Sequence, residues 1–277
     1  MPASPSPAVP ELVTESSLVR DLTSLGLRPG STVLVHTSLS SLGHVVGGEQ
    51  VVIQALLSVV DGGTVVMPAQ SWQLCDPAYL AGTASVDHED AIRAHLPAYD
   101  PRRTPTRTMG RVAELFRTWP GAQRSAHPHR SFAALGPDAD RLLARHDLDS
   151  PVGERSPLAA LYEADADVLL LGVGFDKCTA LHLAEDRAHL PGRAVVANGA
   201  PMTSEGRREW VTFDEPVVDD ADFPAVGSAF ARQSRELRAG VVGAAFARLV
   251  PVRPLVDFAA SWFRTHRSAA PDGSRDR

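Results

Sequence analysis

Hydrophobic and polar positions along the chain follow two periods, and the switches between them predict its elements. Leu18, Leu22 and Leu25 recur at helical spacing behind Thr14, a capping residue, with Gly26 just past the end. A Pro29-Gly30 turn leads into STVLVHT, residues 31–37, which reads as a strand. The Gly/Ser-rich stretch SLSSLGHVVGG, residues 38–48, separates it from a helix over 49–60 carrying Val51, Ala55 and Val59, and residues 64–68 form the next strand. Residues 71–100 show neither period and read as one long irregular segment.

Past that segment the same reading continues. Val112, Leu115, Phe116 and Trp119 mark an amphipathic helix, and residues 127–134 a loop entering a short strand. Helices are predicted over 138–145, from Ser156-Pro157 to residue 164, and over 221–235 and 255–266. The apolar run 168–173 is a buried strand broken by Gly172 and Gly174, with a short helix starting near Thr179. Alternating segments over 193–203 and 208–214 flank Ser204-Glu205-Gly206 as an antiparallel hairpin, whereas 241–250 is ambiguous between helix and strand. Early alternation of strands and helices with a later hairpin predicts a three-layer α/β/α domain around a central mixed sheet.

Composition narrows the class. The 277 residues suit a single domain over 12–267, with a disordered lead-in over 1–11 and a loose tail over 268–277. A net charge of −6 argues against nucleic acid as partner and admits a cationic one. Cys75 and Cys178 form no CxxC, so neither a disulfide framework nor a structural zinc site is expected. No apolar run approaches the roughly 20 residues that span a bilayer. The N-terminus lacks the basic and apolar regions of a secretory signal, so a cytoplasmic protein, monomer or homodimer, is expected.

Candidate chemistry gathers at one stretch. Beyond the strand at 168–173, Asp176, Thr179, His182 and Glu185 fall on a turn and helix, and steps of three align the last three on one face. A histidine near two carboxylates is minimal equipment for a general base, with Glu185 or Asp176 orienting the ring. Gly43, Gly47 and Gly48 with the hydroxyls of Ser38, Ser40 and Ser41, ahead of a helix, suit a diphosphate; a plain chain reversal is the competing reading. His127 and His129 offer a metal-hydrolase reading together with His182 and Asp176, but no HExxH supports it. Asp214, Glu215, Asp219, Asp220 and Asp222 form an acidic run able to face a cation. Trp72, Asp76 and Tyr79 offer further charge and aromatic surface.

HTSLSSLG with VVGG, AYDPRRTPTRTMG, HPHRSFAALG and LLLGVGFDKCTALHLAE occur in that order, and together they resemble the aminoglycoside 3-N-acetyltransferase family from residue 12 to 263. The resemblance implies an acetyl-CoA-dependent transferase of the non-GNAT type, modifying the 3-amino group of the deoxystreptamine ring of a cationic antibiotic and conferring resistance. It implies no metal. It assigns the CoA side to Ser38, Leu39, Ser40, Gly43, Val45, Val46 and Gly47, to Thr106, Met109 and Gly110, and to Ser131 and Phe132. It makes His182 the base, with acids expected at Glu185 and Asp176; for a cationic antibiotic, charge and aromatic surface single out Trp72, Asp76, Tyr79, Asp214, Asp219 and Asp220. An N-acyltransferase of the same fold acting on a biosynthetic amine is the alternative.

Overall fold

The computed structural model describes residues 12–80 and 86–267, so the expected lead-in and tail lie outside the described residues. A two-residue strand β1 (Leu12–Val13) precedes α1 (Glu15–Leu25), which Thr14 caps by accepting from Ser17 N. β2 (Thr32–Thr37) then leads through a short turn to β3 (His44–Val45), paired with β1, and to α2 (Gly48–Val59) and β4 (Thr64–Pro68). α3 (Val86–His95), α4 (Gly110–Phe116), β5 (Gln123–Arg124), β6 (Phe132–Leu135), α5 (Ala139–Leu143) and α6 (Pro157–Glu163) follow. β7 (Asp167–Leu171) and α7 (Ala180–Arg187) carry the stretch richest in chemistry. The hairpin β8 (Val195–Ser204) and β9 (Arg207–Pro216), then α8 (Phe223–Gln233), β10 (Arg238–Val242), β11 (Ala245–Pro251) and α9 (Val252–His266) complete the domain.

The central sheet runs β10-β11-β7-β2-β4-β6-β5, parallel across β7, β2 and β4 and antiparallel on both flanks. Alternation assigns the two faces. Val33, Val35, Val65, Met67, Leu169 and Leu171 pack with α1, α2 and α4, while Leu34, Val66, Val168 and Leu170 pack with α5, α6, α7, α8 and α9. The expected three-layer α/β/α domain with a mixed sheet and a later hairpin is the one observed. Among the described residues no helix is long and apolar enough to cross a membrane.

Two readings of the sequence are corrected. The segment 71–100 is not irregular throughout, because it contains α3. That helix shows no apolar stripe; Arg93 ties it together through Glu89 and Asp90 and anchors it to Asp76. Residues 241–250 fall in the β10–β11 hairpin, whose Gly243 supplies the positive φ the turn requires. The hairpin at Glu205-Gly206 turns with positive φ at both residues, the twist that suits paired antiparallel strands.

Candidate active site

The carboxyl ends of the parallel strands β2 and β4 and the turn after β7 open on one cleft of about 950 Å³. Open α/β sheets place their sites at this edge. Thr37 to Ser40 and Gly43 to Val45 wall one side, Met109 to Ala113 another, and Asp176 to Thr179 with His182 the third. Gly172, at φ 71°, lets the turn after β7 lie against the serine loop; a Cβ there would come within 2.7 Å of Ser41 Cβ. Ser41 Oγ donates to Gly172 O at 3.2 Å and to Ser38 Oγ at 2.9 Å, locking the two motifs together.

His182 lies in α7 with its ring on the cleft, and donates Nδ1–H to Glu185 Oε2 at 2.5 Å. The acceptor is a carboxylate, so the neutral ring carries its proton on Nδ1 and presents a lone pair on Nε2. Phe223 packs on the imidazole at a centroid distance of 4.8 Å. Glu185 is buried; Asp219 N donates to its Oε1 at 3.1 Å, and the Arg267 guanidinium reaches the same oxygen at 2.5 Å. Burial alone would raise the Glu185 carboxyl, yet the hydrogen bonds and charges of His182 and Arg267 hold it below the usual carboxylate range. Asp176 instead pairs with Lys177 at 3.1 Å on the cleft wall. Of the two acids, the structure brings Glu185 to the imidazole.

The other expected site residues divide. Ser38, Leu39, Ser40, Gly43, Val45 and Gly48 line the cleft, and Met109 and Gly110 line both it and a smaller cavity of about 490 Å³ shared with Thr106. Val46 and Gly47 are absent from the lining; Gly47 serves as the N-cap of α2 at φ 89°. The first turn of α2 carries its own carboxylate, Glu49, which its backbone N–H and Arg111 hold below the ordinary range against the opposing effect of desolvation. Ser131 and Phe132 are fully buried in or beside β6: Ser131 donates to Ala69 O at 2.7 Å, and Phe132 belongs to the core beneath the sheet. The sequence reading that put them on the cleft wall missed the residue that is there, Arg130.

Arg130 is buried, lies 4.5 Å over the Trp72 ring and donates to Tyr79 Oη at 3.3 Å, with Glu215 3.8 Å away. Trp72 faces the cleft, whereas Tyr79 supports Arg130 from behind. Asp76 is taken up by Arg93 at 2.8 and 2.9 Å, and this pairing holds its carboxyl low. Within the acidic run, Asp220 lines the cleft, Asp222 pairs with Arg267 and Asp214 is exposed on β9 away from the lining. Asp219 braces Glu185 through its backbone, and its side chain accepts from Ala221 N.

Two further residues escaped the sequence reading. His36, on the same face of β2 as Leu34, lines the cleft and pairs through Nε2 with Thr179 Oγ1 at 3.2 Å. Burial and the nearby His182 push its pKa down to about 3, so it stays neutral. A polar residue on the core-facing register of a strand was the available signal. Arg267 carried no signal at all. His127 and His129 are both fully buried. His127 Nδ1 accepts from His129 N and Arg130 N at 3.1 and 3.2 Å, and its Nε2 donates to Leu148 O at 3.3 Å, so no lone pair of its ring is free for a metal. Among the described residues no group of three or more His, Cys, Asp or Glu side chains could hold a metal ion.

The sequence profile of aminoglycoside 3-N-acetyltransferases matches residues 34–264. The SPbeta prophage-derived aminoglycoside N(3')-acetyltransferase-like protein YokD of Bacillus subtilis is 45% identical over 254 residues, 90% of this chain and 92% of its own. Its crystal structure superposes with a TM-score of 0.91, covering 95% and 97% of the two chains. Aminoglycoside N(3)-acetyltransferase VII of Streptomyces paromomycinus is 39% identical over 276 residues, 94% of this chain and 96% of its own. The structure of AAC-IIIb binary with CoASH aligns at 32% identity and a TM-score of 0.83, over 95% of this chain and 100% of that one. AAC-VIa bound to sisomicin aligns at 32% identity and 0.82, over the same shares.

Proposed function

The chain belongs to the aminoglycoside 3-N-acetyltransferase family, and on that premise we propose that it transfers acetyl from acetyl-CoA to the 3-amino group of the deoxystreptamine ring, giving resistance to the host. The observation that carries this reading is the His182–Glu185 pair, with the imidazole on the wall of the cleft of about 950 Å³. The antibiotic arrives as an ammonium, whose lone pair is blocked until a proton leaves. His182 Nε2 takes a proton from the attacking nitrogen, and the Glu185 carboxylate stabilises the imidazolium that forms. The N–C bond forms, the C–S bond breaks, and the departing thiolate takes up the proton held by His182 as thiol, which regenerates the base. A second proton from the ammonium passes to solvent.

Direct transfer is favoured because the thiol on the cleft lining is held un-ionised. Cys178 is buried, and desolvation pushes its thiol up to about 12. The serine loop and the exposed Arg111 at the cleft mouth fit the phosphates of CoA, and the CoASH-bound relative supports that side. Asp220 and the Trp72 face suit a cationic sugar, in keeping with the sisomicin-bound relative. Acetyl-CoA supply places the reaction in the cytoplasm. The test is thiol release from acetyl-CoA across gentamicin, kanamycin, neomycin and apramycin types, with the acetylated nitrogen mapped by NMR. Turnover with N3 modified is expected. Thiol release with none of them, but with another amine, replaces this substrate.

A further inference from the structure

We propose that Arg267, at the end of α9, is a positioning residue for the His182–Glu185 dyad, fixing both the place and the charge of Glu185. This rests on the base assigned to His182 above. Glu185 sends Oε2 to His182 Nδ1 and keeps Oε1 for two donors, Asp219 N at 3.1 Å and Arg267 Nη1 at 2.5 Å. Arg267 is itself fixed on every side. Its Nε donates to Asp222 Oδ2 at 2.7 Å, Nη2 reaches the other Asp222 oxygen and Asp219 O, and the guanidinium lies 4.0 Å over the Phe263 ring. Phe263 packs on Phe223, which packs on the imidazole. One side chain therefore joins the end of α9, the loop before α8 and the functional helix α7. The fork geometry of a guanidinium, not a single ammonium point, satisfies two carboxylates and a carbonyl at once.

The charge has a direction. The groups facing the dyad are Glu185 on α7, His36 on β2, the Asp176–Lys177 pair before α7, Asp219, Asp220 and Asp222 before α8, and Arg267 after α9. His36 stays neutral, so Arg267 is the cation in direct contact with the Glu185 carboxylate. A neighbouring positive charge keeps the Glu185 carboxylate ionised despite its burial. Without it, Glu185 becomes a buried carboxylate without a cation, free to take a proton or to turn away from the ring.

The experiment compares wild type with Arg267→Lys, Arg267→Gln and Asp222→Asn. The first reading is NMR titration of the His182 imidazole in the free enzyme, assigned by the loss of its signal in His182→Asn. It needs no substrate, so a protein inert in the transfer assay overturns the functional reading and leaves this arm standing. Arg267→Gln is expected to displace the imidazole titration from its wild-type position, with Arg267→Lys in between. The second reading is kinetic. Arg267→Gln should lower kcat by about tenfold, with its acid limb displaced and KM for acetyl-CoA within about twofold, and in one further variant, Arg267→Ala, guanidinium in the buffer should restore part of the rate. If Arg267→Gln does not fold, Arg267→Lys and Asp222→Asn carry the same comparison at smaller amplitude. A titration and an acid limb that stay at the wild-type position in the folded variants overturn the proposal.

Discussion

Two sets of histidines, buried or half-buried, differ in what their ring nitrogens meet. In the first, His127, His129 and His146 each give one ring nitrogen to a backbone carbonyl, of Leu148, Leu74 and Pro151. The lone pair of His127 takes two backbone N–H groups, and that of His146 faces Ser125 Oγ. In the second, His182 gives Nδ1–H to a carboxylate and turns Nε2 to the cleft. Burial does not tell them apart, since His182 is only 8% exposed and His127 and His129 are 0%. What does is whether a proton arriving on the ring meets a countercharge. A carbonyl dipole leaves a buried imidazolium costly, whereas a carboxylate one hydrogen bond away neutralises it. The first group is built to keep one protonation state and the second to change it.

The sharpest way to break this contrast is to remove one ring from each. His182→Ala should lower kcat with acetyl-CoA and an accepted antibiotic by at least about a hundredfold, while urea unfolding shifts by no more than about 1 kcal/mol. His127→Ala should do the reverse. It strands the N–H groups of His129 and Arg130 and opens a cavity, so a loss of about 2–4 kcal/mol is expected. The folded fraction should keep kcat within a few fold. A His127→Ala protein of full stability and no activity would erase the distinction drawn above.

Acid stability tests the sealed group next. Burial pushes His129 and His146 down to about 4, holds His127 well below its ordinary value, and puts His36 at about 3. The unfolded chain takes up these protons from about pH 6.5 downward and the folded chain does not, so stability is full above that value and is lost as pH falls toward 4. Each such ring contributes a slope of up to about 1.4 kcal/mol per pH unit. Urea midpoints at pH 7.5, 6, 5 and 4 should fall steadily, and His146→Asn should flatten the fall by one proton. A flat profile to pH 5 would mean that these rings protonate without unfolding.

The contrast between the two groups was half visible in the sequence. His182 and Glu185 stand three apart after an apolar strand and a glycine turn, so local periodicity alone set them on one helix face. Strands β2, β4 and β7 were legible for the same reason, each being an apolar run between turns. Long-range partners were not. Arg267 meets Glu185 across 82 residues and Asp222 across 45, and nothing in a window of sequence joins them. His127 looked like a ligand because spacing shows which residues are near, not which lone pairs the backbone has already taken. Ser131 and Phe132 were assigned to the cleft one and two positions past Arg130, but Ser131 is held by Ala69 O and Phe132 opens β6 inside the core, contacts that no local pattern shows. Helix α3 stayed hidden because its ties are charges to Arg93 and not an apolar stripe.

The smallest expected effect sharpens the comparison most finely, because it asks which carboxylate belongs to the imidazole. Asp176 and Glu185 both flank His182 in sequence, and either would serve a general base on chemical grounds. The difference between them is environment. Glu185 is 2% exposed, with its oxygens divided between His182, Asp219 N and Arg267, whereas the Asp176 side chain is 47% exposed and turned to Lys177. A half-exposed pair in high dielectric carries little coupling to a ring it does not touch. Glu185→Gln, which keeps the shape but loses the charge, should lower kcat by about a hundredfold. Asp176→Asn should leave kcat within about threefold, and any change should fall in the KM for the cationic substrate, since the residue stands on the cleft wall. The two substitutions are isosteric and lie on either side of one histidine, so their ratio reads the orienting role directly. An Asp176→Asn loss equal to that of Glu185→Gln would move that role to the loop, with the 2.5 Å contact of Glu185 reduced to holding the helix.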